Sequence, residues 1–136
     1  MSSKDECKVY FNLDYQRNTN DGIIDQPYCD QRSSVSKSVD WIGTRWYRFT
    51  GPSGTRIPTE NPGEHRCGTF FTGWLKGSHP TTPDTTIDAK VCFNGWTGGC
   101  HESVIVKITN CGSYFVYYLP DTPECNLRYC ATNDRF

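Results

Sequence analysis

Long aliphatic side chains are scarce in this chain: 35% of its 136 residues fall in a hydrophobic set that already counts tyrosine and cysteine. Apolar burial alone should therefore stabilise it weakly. No stretch approaches the roughly 18 consecutive apolar residues of a membrane-spanning helix, so membrane insertion is not expected. Neither sign of charge dominates, with 14 basic residues against 15 acidic ones. The basic residues are spread evenly, which leaves no electrostatic footprint for nucleic acid. Gly-x-Ser-x-Gly, His-Glu-x-x-His and phosphate-loop motifs are all missing, and the expectation is that the protein is not an enzyme. Asn-x-Ser/Thr glycan acceptors are missing too: Asn18-Thr-Asn, Asn94-Gly-Trp and Asn110-Cys-Gly each fail the pattern. Met1-Ser-Ser-Lys-Asp-Glu6 contains no apolar leader segment, which points to a mature chain behind an initiator Met.

What the chain has instead is eight cysteines, Cys7, Cys29, Cys67, Cys92, Cys100, Cys111, Cys125 and Cys130. Structural zinc sites use tight Cys-x2–4-Cys pairs, often with His-x3–5-His. Here the closest pairs are Cys125–Cys130 and Cys92–Cys100, and His65, His79 and His101 stand singly. Disulfides are the better reading, at about 2–4 kcal/mol each. Four bridges would contribute on the order of 10 kcal/mol, comparable with a domain's net stability. Oxidised cysteines imply a secreted or extracellular location.

Period-2 alternation marks the strands. Thr86 to Phe93 sets Ile87, Ala89, Val91 and Phe93 on one face and Asp88, Lys90 and Cys92 on the other. Ser103 to Thr109 and Ser113 to Leu119 alternate similarly, and Asn110-Cys-Gly112 makes them a hairpin. Lys8 to Asn12 and Trp46 to Thr50 are shorter strands, Gly51-Pro-Ser-Gly54 is a turn, and residues 57–63 are an irregular connection rich in proline. A single helical turn is expected near Glu124–Tyr129 and no other helix. The fold class is all-β: small disulfide-stapled antiparallel sheets with long loops, in one domain over residues 1–136.

Several segments follow one another in a set order: Arg45-Trp-Tyr-Arg-Phe49, Gly51-Pro-Ser-Gly54, Cys67-Gly-Thr, Trp74-Leu-Lys-Gly-Ser-His79-Pro80, Val91-Cys92, Gly99-Cys100, the Val104–Asn110 strand into Cys111, Tyr117-Tyr-Leu119, and Pro123-Glu-Cys125 to Tyr129-Cys130. Over residues 41–130 the chain resembles the cysteine-rich module of uromodulin (Tamm-Horsfall protein) and of the major pancreatic zymogen-granule membrane glycoprotein. The resemblance implies the pairs Cys7–Cys111, Cys29–Cys125, Cys67–Cys130 and Cys92–Cys100. That family usually has ten cysteines here; this chain has Cys100-His101 where a Cys-Cys doublet is usual, and Glu60-Asn-Pro-Gly-Glu64 where another cysteine stands. Two cysteines lost together look like one lost bridge. The module is a non-catalytic recognition device in its mammalian relatives, displaying N-linked high-mannose glycans to bacterial fimbrial adhesins. The matching acceptor positions are Lys76 and Tyr118 in this chain. The scaffold is kept and the bait is lacking.

Direct sugar recognition is then the first function to weigh. Sugars are bound by an aromatic face under ring C–H groups, with carboxylates and carboxamides taking the hydroxyls. Trp96, at the tip of the Cys92–Cys100 loop, and Asn94, His79 and Asp84 are the carbohydrate-binding candidates. Trp96 could equally fold back over the sheet, and His79 suits a structural hydrogen bond better than a metal bond. Ca2+ is the candidate cofactor, on the oxygen-rich run Asn18, Asn20, Asp21 and Asp25. That run lacks the alternation and terminal Glu of an EF-hand, and a solvated turn is the competing reading. Trp41, Trp46 and Trp74 read as core or near-core. The leading expectation is a secreted lectin, calcium-dependent, whose partners are glycans on cell surfaces or microbes. A homodimer would let one-site chains cross-link cells. The competing expectation is an extracellular adhesion or interaction module from a larger protein.

Overall fold

The computed structural model describes residues 4–22, 27–95 and 99–133. Seven strands form one mixed sheet: β1 (Phe11–Leu13), β2 (Arg45–Phe49), β3 (Phe71–Lys76), β4 (Thr86–Phe93), β5 (Glu102–Asn110), β6 (Phe115–Leu119) and β7 (Leu127–Tyr129). Their order across the sheet is β1-β2-β6-β5-β4-β3-β7. Strands β3 to β6 make an antiparallel meander, as period-2 segments joined by short turns should. The outer pairs, β1 on β2 and β3 on β7, are parallel. The class is all-β, but in one sheet rather than several small antiparallel ones.

The alternation read from the sequence holds in β4, whose bounds are Thr86–Phe93. Val91 and Phe93 are fully buried, Ile87 and Ala89 pack against the same core, and Asp88 and Lys90 face solvent. The β5–β6 hairpin directs Val106, Ile108, Tyr117 and Leu119 to that core as well. Trp41 is buried, while Trp46 and Trp74 are half-buried. Two expectations are corrected. The helical turn near Glu124–Tyr129 is instead a turn running into β7, whose three residues are all buried. Phe71–Lys76, which carries no clear alternation, is strand β3; Gly73 sits at its centre because a Cβ there would lie 2.8 Å from the Arg128 carbonyl oxygen.

The sheet curls until its ends meet. Asn18, beyond β1, bridges Ala131, beyond β7, and Arg56 bridges Thr132. Trp41 fills the junction, stacked on Tyr47 of β2 (4.7 Å between centroids) and on Tyr129 of β7 (5.7 Å). Two arginines and two aspartates lock the seam. Both Arg17 terminal nitrogens donate to Asp30 at 2.7 Å, and its Nε and Nη2 reach Asp40. Arg128 donates to the carbonyls of Tyr15, Gln16 and Cys67 and to Ser38 Oγ. Burial raises the Asp40 pKa, but the charge and hydrogen bonds of Arg17 outweigh it and bring the group down to about 2. Like charges beside each other are tolerated because the cluster's formal charges cancel and its donors are satisfied.

All eight cysteines pair: Cys7–Cys111, Cys29–Cys125, Cys67–Cys130 and Cys92–Cys100. These are the pairs the resemblance implies. The first three span 104, 96 and 63 residues of sequence and join loop segments to the two ends of the curl. In a chain-entropy account, loops of that length contribute about 4–5 kcal/mol each.

Candidate functional site

The residues singled out for sugar contact do not converge. Asn94 follows β4 and is fully buried, its Nδ2 donating to Thr72 Oγ1 at 2.7 Å; that hydroxyl donates in turn to the Gly63 carbonyl. His79 is 6% exposed and lies near the opposite end of the sheet, against Phe115. Its Nε2 is 2.7 Å from the Tyr117 hydroxyl, which accepts the Ile57 N–H. Burial, reinforced by the Arg56 charge, lowers the His79 pKa to about 4, so the ring is neutral. Asp84 is exposed, with its N–H on the Asn110 carbonyl. It precedes β4 whereas Asn94 follows it, and an eight-residue strand is roughly 25 Å long. Trp96 and Asp25 lie outside the described residues. The remaining members of the oxygen-rich run form a tight turn: Asn18 Oδ1 accepts the Asn20 N–H, and Asp21 Oδ2 accepts the Asn18 N–H. Among the described residues no three His, Cys, Asp or Glu side chains stand close enough together to hold a metal ion.

A concave surface occurs elsewhere. A cleft of about 200 Å³ opens between the end of β2 (Arg48, Phe49), the segment Thr55–Arg56 and the β5–β6 turn (Gly112 to Phe115). Local chemistry shapes each wall. Asn110 Oδ1 accepts the Gly112 N–H, Gly112 takes a left-handed φ of 95°, and the Cys111 N–H closes on the Tyr114 carbonyl. The Cys7–Cys111 bridge and the Tyr114 hydroxyl, which donates to the Cys7 carbonyl, pin this turn to the N-terminal segment. Opposite, Gly54 brings the chain against Thr132, whose backbone would be 2.8 Å from an added Cβ; its φ of 111° also disfavours any side chain.

The lining is aromatic at the back and cationic in front. The Arg48 guanidinium lies 3.9 Å from the Tyr114 ring centroid and 5.8 Å from that of Tyr10, and its Nη1 donates to the Tyr10 hydroxyl. Arg56 lies 5.6 Å from the Phe115 centroid. A guanidinium laid on a ring face is held by cation–π attraction and keeps in-plane N–H groups for other acceptors. The exposed residues Thr55 and Ser113 complete the rim. None of these residues stands out in the sequence as a site. Arg48 sits within the Arg45–Phe49 strand and Tyr114 within a hairpin, and only the curl of the sheet places them face to face. An aromatic pair directly after the Asn110-Cys-Gly112 turn is the one available signal.

The arrangement offers ring faces, hydroxyls and guanidinium donors around a small cleft, on a frame held by disulfides. Among the described residues that line it there is no nucleophile and base in contact. The chain matches the family model of a uromodulin-like, cysteine-bridged domain over residues 47–131. It is 37% identical over 113 residues to the human pancreatic secretory granule membrane major glycoprotein GP2, covering 80% of this chain and 21% of that protein. Rat uromodulin is 34% identical over 130 residues, covering 94% of this chain and 18% of the relative. The chain thus spans about a fifth of the length of these relatives. With its four bridges and curled all-β sheet in place, the chain belongs to the uromodulin-like domain family.

Proposed function

We propose that this uromodulin-like domain is a secreted, non-catalytic carbohydrate-binding module, a lectin that recognises glycans on cell surfaces or microbes. The observation that carries this reading is the cleft formed by Arg48, Thr55, Arg56, Ser113, Tyr114 and Phe115. It joins aromatic rings to hydroxyl and N–H donors, the combination a sugar requires for its C–H patches and its oxygens. At about 200 Å³ it is smaller than the 300–1,000 Å³ typical of drug-sized ligand pockets, and suits one terminal sugar residue better than a large rigid ligand. The chain has no glycan acceptor of its own, so display of N-glycans as bait is not available to it. Its turn position Lys76 is an exposed lysine.

Calcium dependence is the finer part of the proposal. Its ligands would come from Asn18, Asn20, Asp21 and Asp25, supported by the density of oxygen-bearing side chains there. A glycan array probed with the refolded, oxidised chain, with and without EDTA, tests both parts. Binding to a defined glycan set supports the lectin reading, and silence across the array removes it. Loss of binding in EDTA, restored by Ca2+, supports the metal; indifference to EDTA removes it.

A second reading has its own observation. On the convex face of the sheet Ile105 is 64% exposed, next to the cross-strand pair Trp46–Tyr118. A protein partner docking on this face would make the chain an adhesion module. That reading predicts partner binding lost on Ile105→Asp while array binding is unchanged.

A further inference from the structure

We propose that the Arg48–Arg56 cleft is selective for acidic sugars, holding a carboxylate or sulfate group on the two guanidinium groups. The inference rests on the carbohydrate reading and adds the substrate class. The cleft lining contains two arginines and no aspartate or glutamate. The surplus is local, because the whole chain carries a formal charge of −1. A patch of one sign on a near-neutral protein points to the ligand's charge rather than to general basicity.

The residue type and its setting narrow the chemistry. Guanidinium presents a fork of N–H groups that matches the paired oxygens of carboxylate and sulfate, which an ammonium cannot do. Among the described residues Arg48 has no carboxylate within ion-pair distance, and its one hydrogen-bond acceptor is the neutral Tyr10 hydroxyl. Its stack on Tyr114 restricts its rotamers before any ligand arrives, so little side-chain entropy is lost on binding. A neutral sugar in this cleft would displace water from the guanidinium and return no charge, which favours acidic ligands over neutral ones.

A glycan fits better than an acidic peptide. Thr55 and Ser113 offer hydroxyls at the rim, suited to a polyol. The two strands that flank the cleft, β2 and β6, are paired on both sides, so they present no free edge to which a peptide could add as a strand.

The test is titration of the oxidised chain with sialyllactose, a sulfated glycosaminoglycan disaccharide, lactose and a short poly-glutamate peptide, followed by amide chemical shifts. The expected result is that at least one acidic sugar binds about tenfold or more tightly than lactose and shifts the Gly112–Phe115 amides. Affinity should fall at least about fivefold as salt rises from roughly 20 to 300 mM, in keeping with screening of charge pairs near the surface. Arg48→Gln should weaken acidic-sugar binding at least about tenfold, Arg48→Lys by less, and Lys90→Gln, on the distant β4 strand, should leave it unchanged. Because Arg48→Gln removes the stack on Tyr114, the wild-type shift map stands as an independent readout. The carboxylate and sulfate arms identify which anion is read. Equal binding of lactose and acidic sugars overturns the selectivity but leaves the lectin reading standing. Binding of acidic sugars with shifts confined to another surface overturns the assignment of the cleft. Tighter binding of poly-glutamate overturns the glycan class, and no sugar binding at all removes both readings.

Discussion

Acid should unfold this domain in steps, and the first belongs to His79. Its ring is 6% exposed, packed against Phe115, and bonded through Nε2 to Tyr117. The Tyr117 phenol is itself pushed up by burial, so it keeps its proton; among the described residues His79 Nε2 is the acceptor available to that proton. The folded-state pKa of His79 is about 4, against an ordinary value of 6.5. Because the folded value is depressed, the unfolded chain takes up the proton first as pH falls. Stability is therefore complete above pH 6.5, declines between 6.5 and 4, and levels off below. At about 1.36 kcal/mol per unit, the full loss is on the order of 3 kcal/mol, of which about 2 kcal/mol is gone by about pH 5. Urea unfolding of the oxidised protein at about pH 7.5, 6, 5 and 4 would measure it. His79→Gln, whose side chain can still accept from Tyr117, should be about 1 kcal/mol less stable at about pH 7.5. It should lack the slope between pH 6.5 and 4, and subtracting the two curves isolates the histidine from the carboxylates. A histidine titrating above about pH 6 by NMR, or parallel pH curves for the two proteins, would refute the reasoning.

Four further outcomes follow from the same geometry. Asp40, held at about 2 by Arg17 despite its burial, should add an acid loss of about 2 kcal/mol between pH 3.8 and 2, absent in Asp40→Asn when unfolding is followed by circular dichroism. Arg17→Leu leaves Asp30 buried without its main partner and should cost about 3–5 kcal/mol, read as a fall in unfolding midpoint; a change under about 1 kcal/mol would mean the cluster is not held together as described. Gly73→Ala should destabilise by several tenths to about 3 kcal/mol because the new methyl meets the Arg128 carbonyl and the Phe93 ring at under 3 Å, and a neutral effect in thermal melts would show that β3 and β7 are not so tightly apposed. Replacing Cys92 and Cys100 together by Ala should cost about 2.5 kcal/mol, against about 4 kcal/mol for Cys67 with Cys130, because the first bridge closes 8 residues and the second 63; equal losses in urea would overturn the loop-length account.

Much of the sheet was legible because its strongest elements are local. In β4, β5 and β6 successive side chains alternate between core and solvent, and neighbours in sequence are neighbours in the sheet. Strand β3 was not legible. Phe71, Thr72 and Gly73 are buried together, so the strand has no polar face to reveal its period, and a glycine interrupts it. Strand β7 is three residues long and pairs in parallel with a strand more than fifty residues earlier, a contact that no local pattern encodes. The candidate site divides in the same way. The sequence drew attention to Asn94 and His79 because they are chemically versatile, but both are buried in hydrogen bonds to neighbouring strands.

By itself the sequence determined the all-β class, the hairpin and the family, because alternation, turn residues and the order of cysteine motifs are written along the chain. Tertiary structure alone decided which charges are buried and which meet a ligand. Arg128 and Arg48 both occupy outward positions on strands. The Tyr15–Arg17 segment folds over Arg128 and surrounds it with carbonyls, whereas Arg48 is left at the mouth of a cleft beside aromatic rings. The difference arises because burial of a charged side chain depends on segments distant in sequence that the curled sheet brings above it.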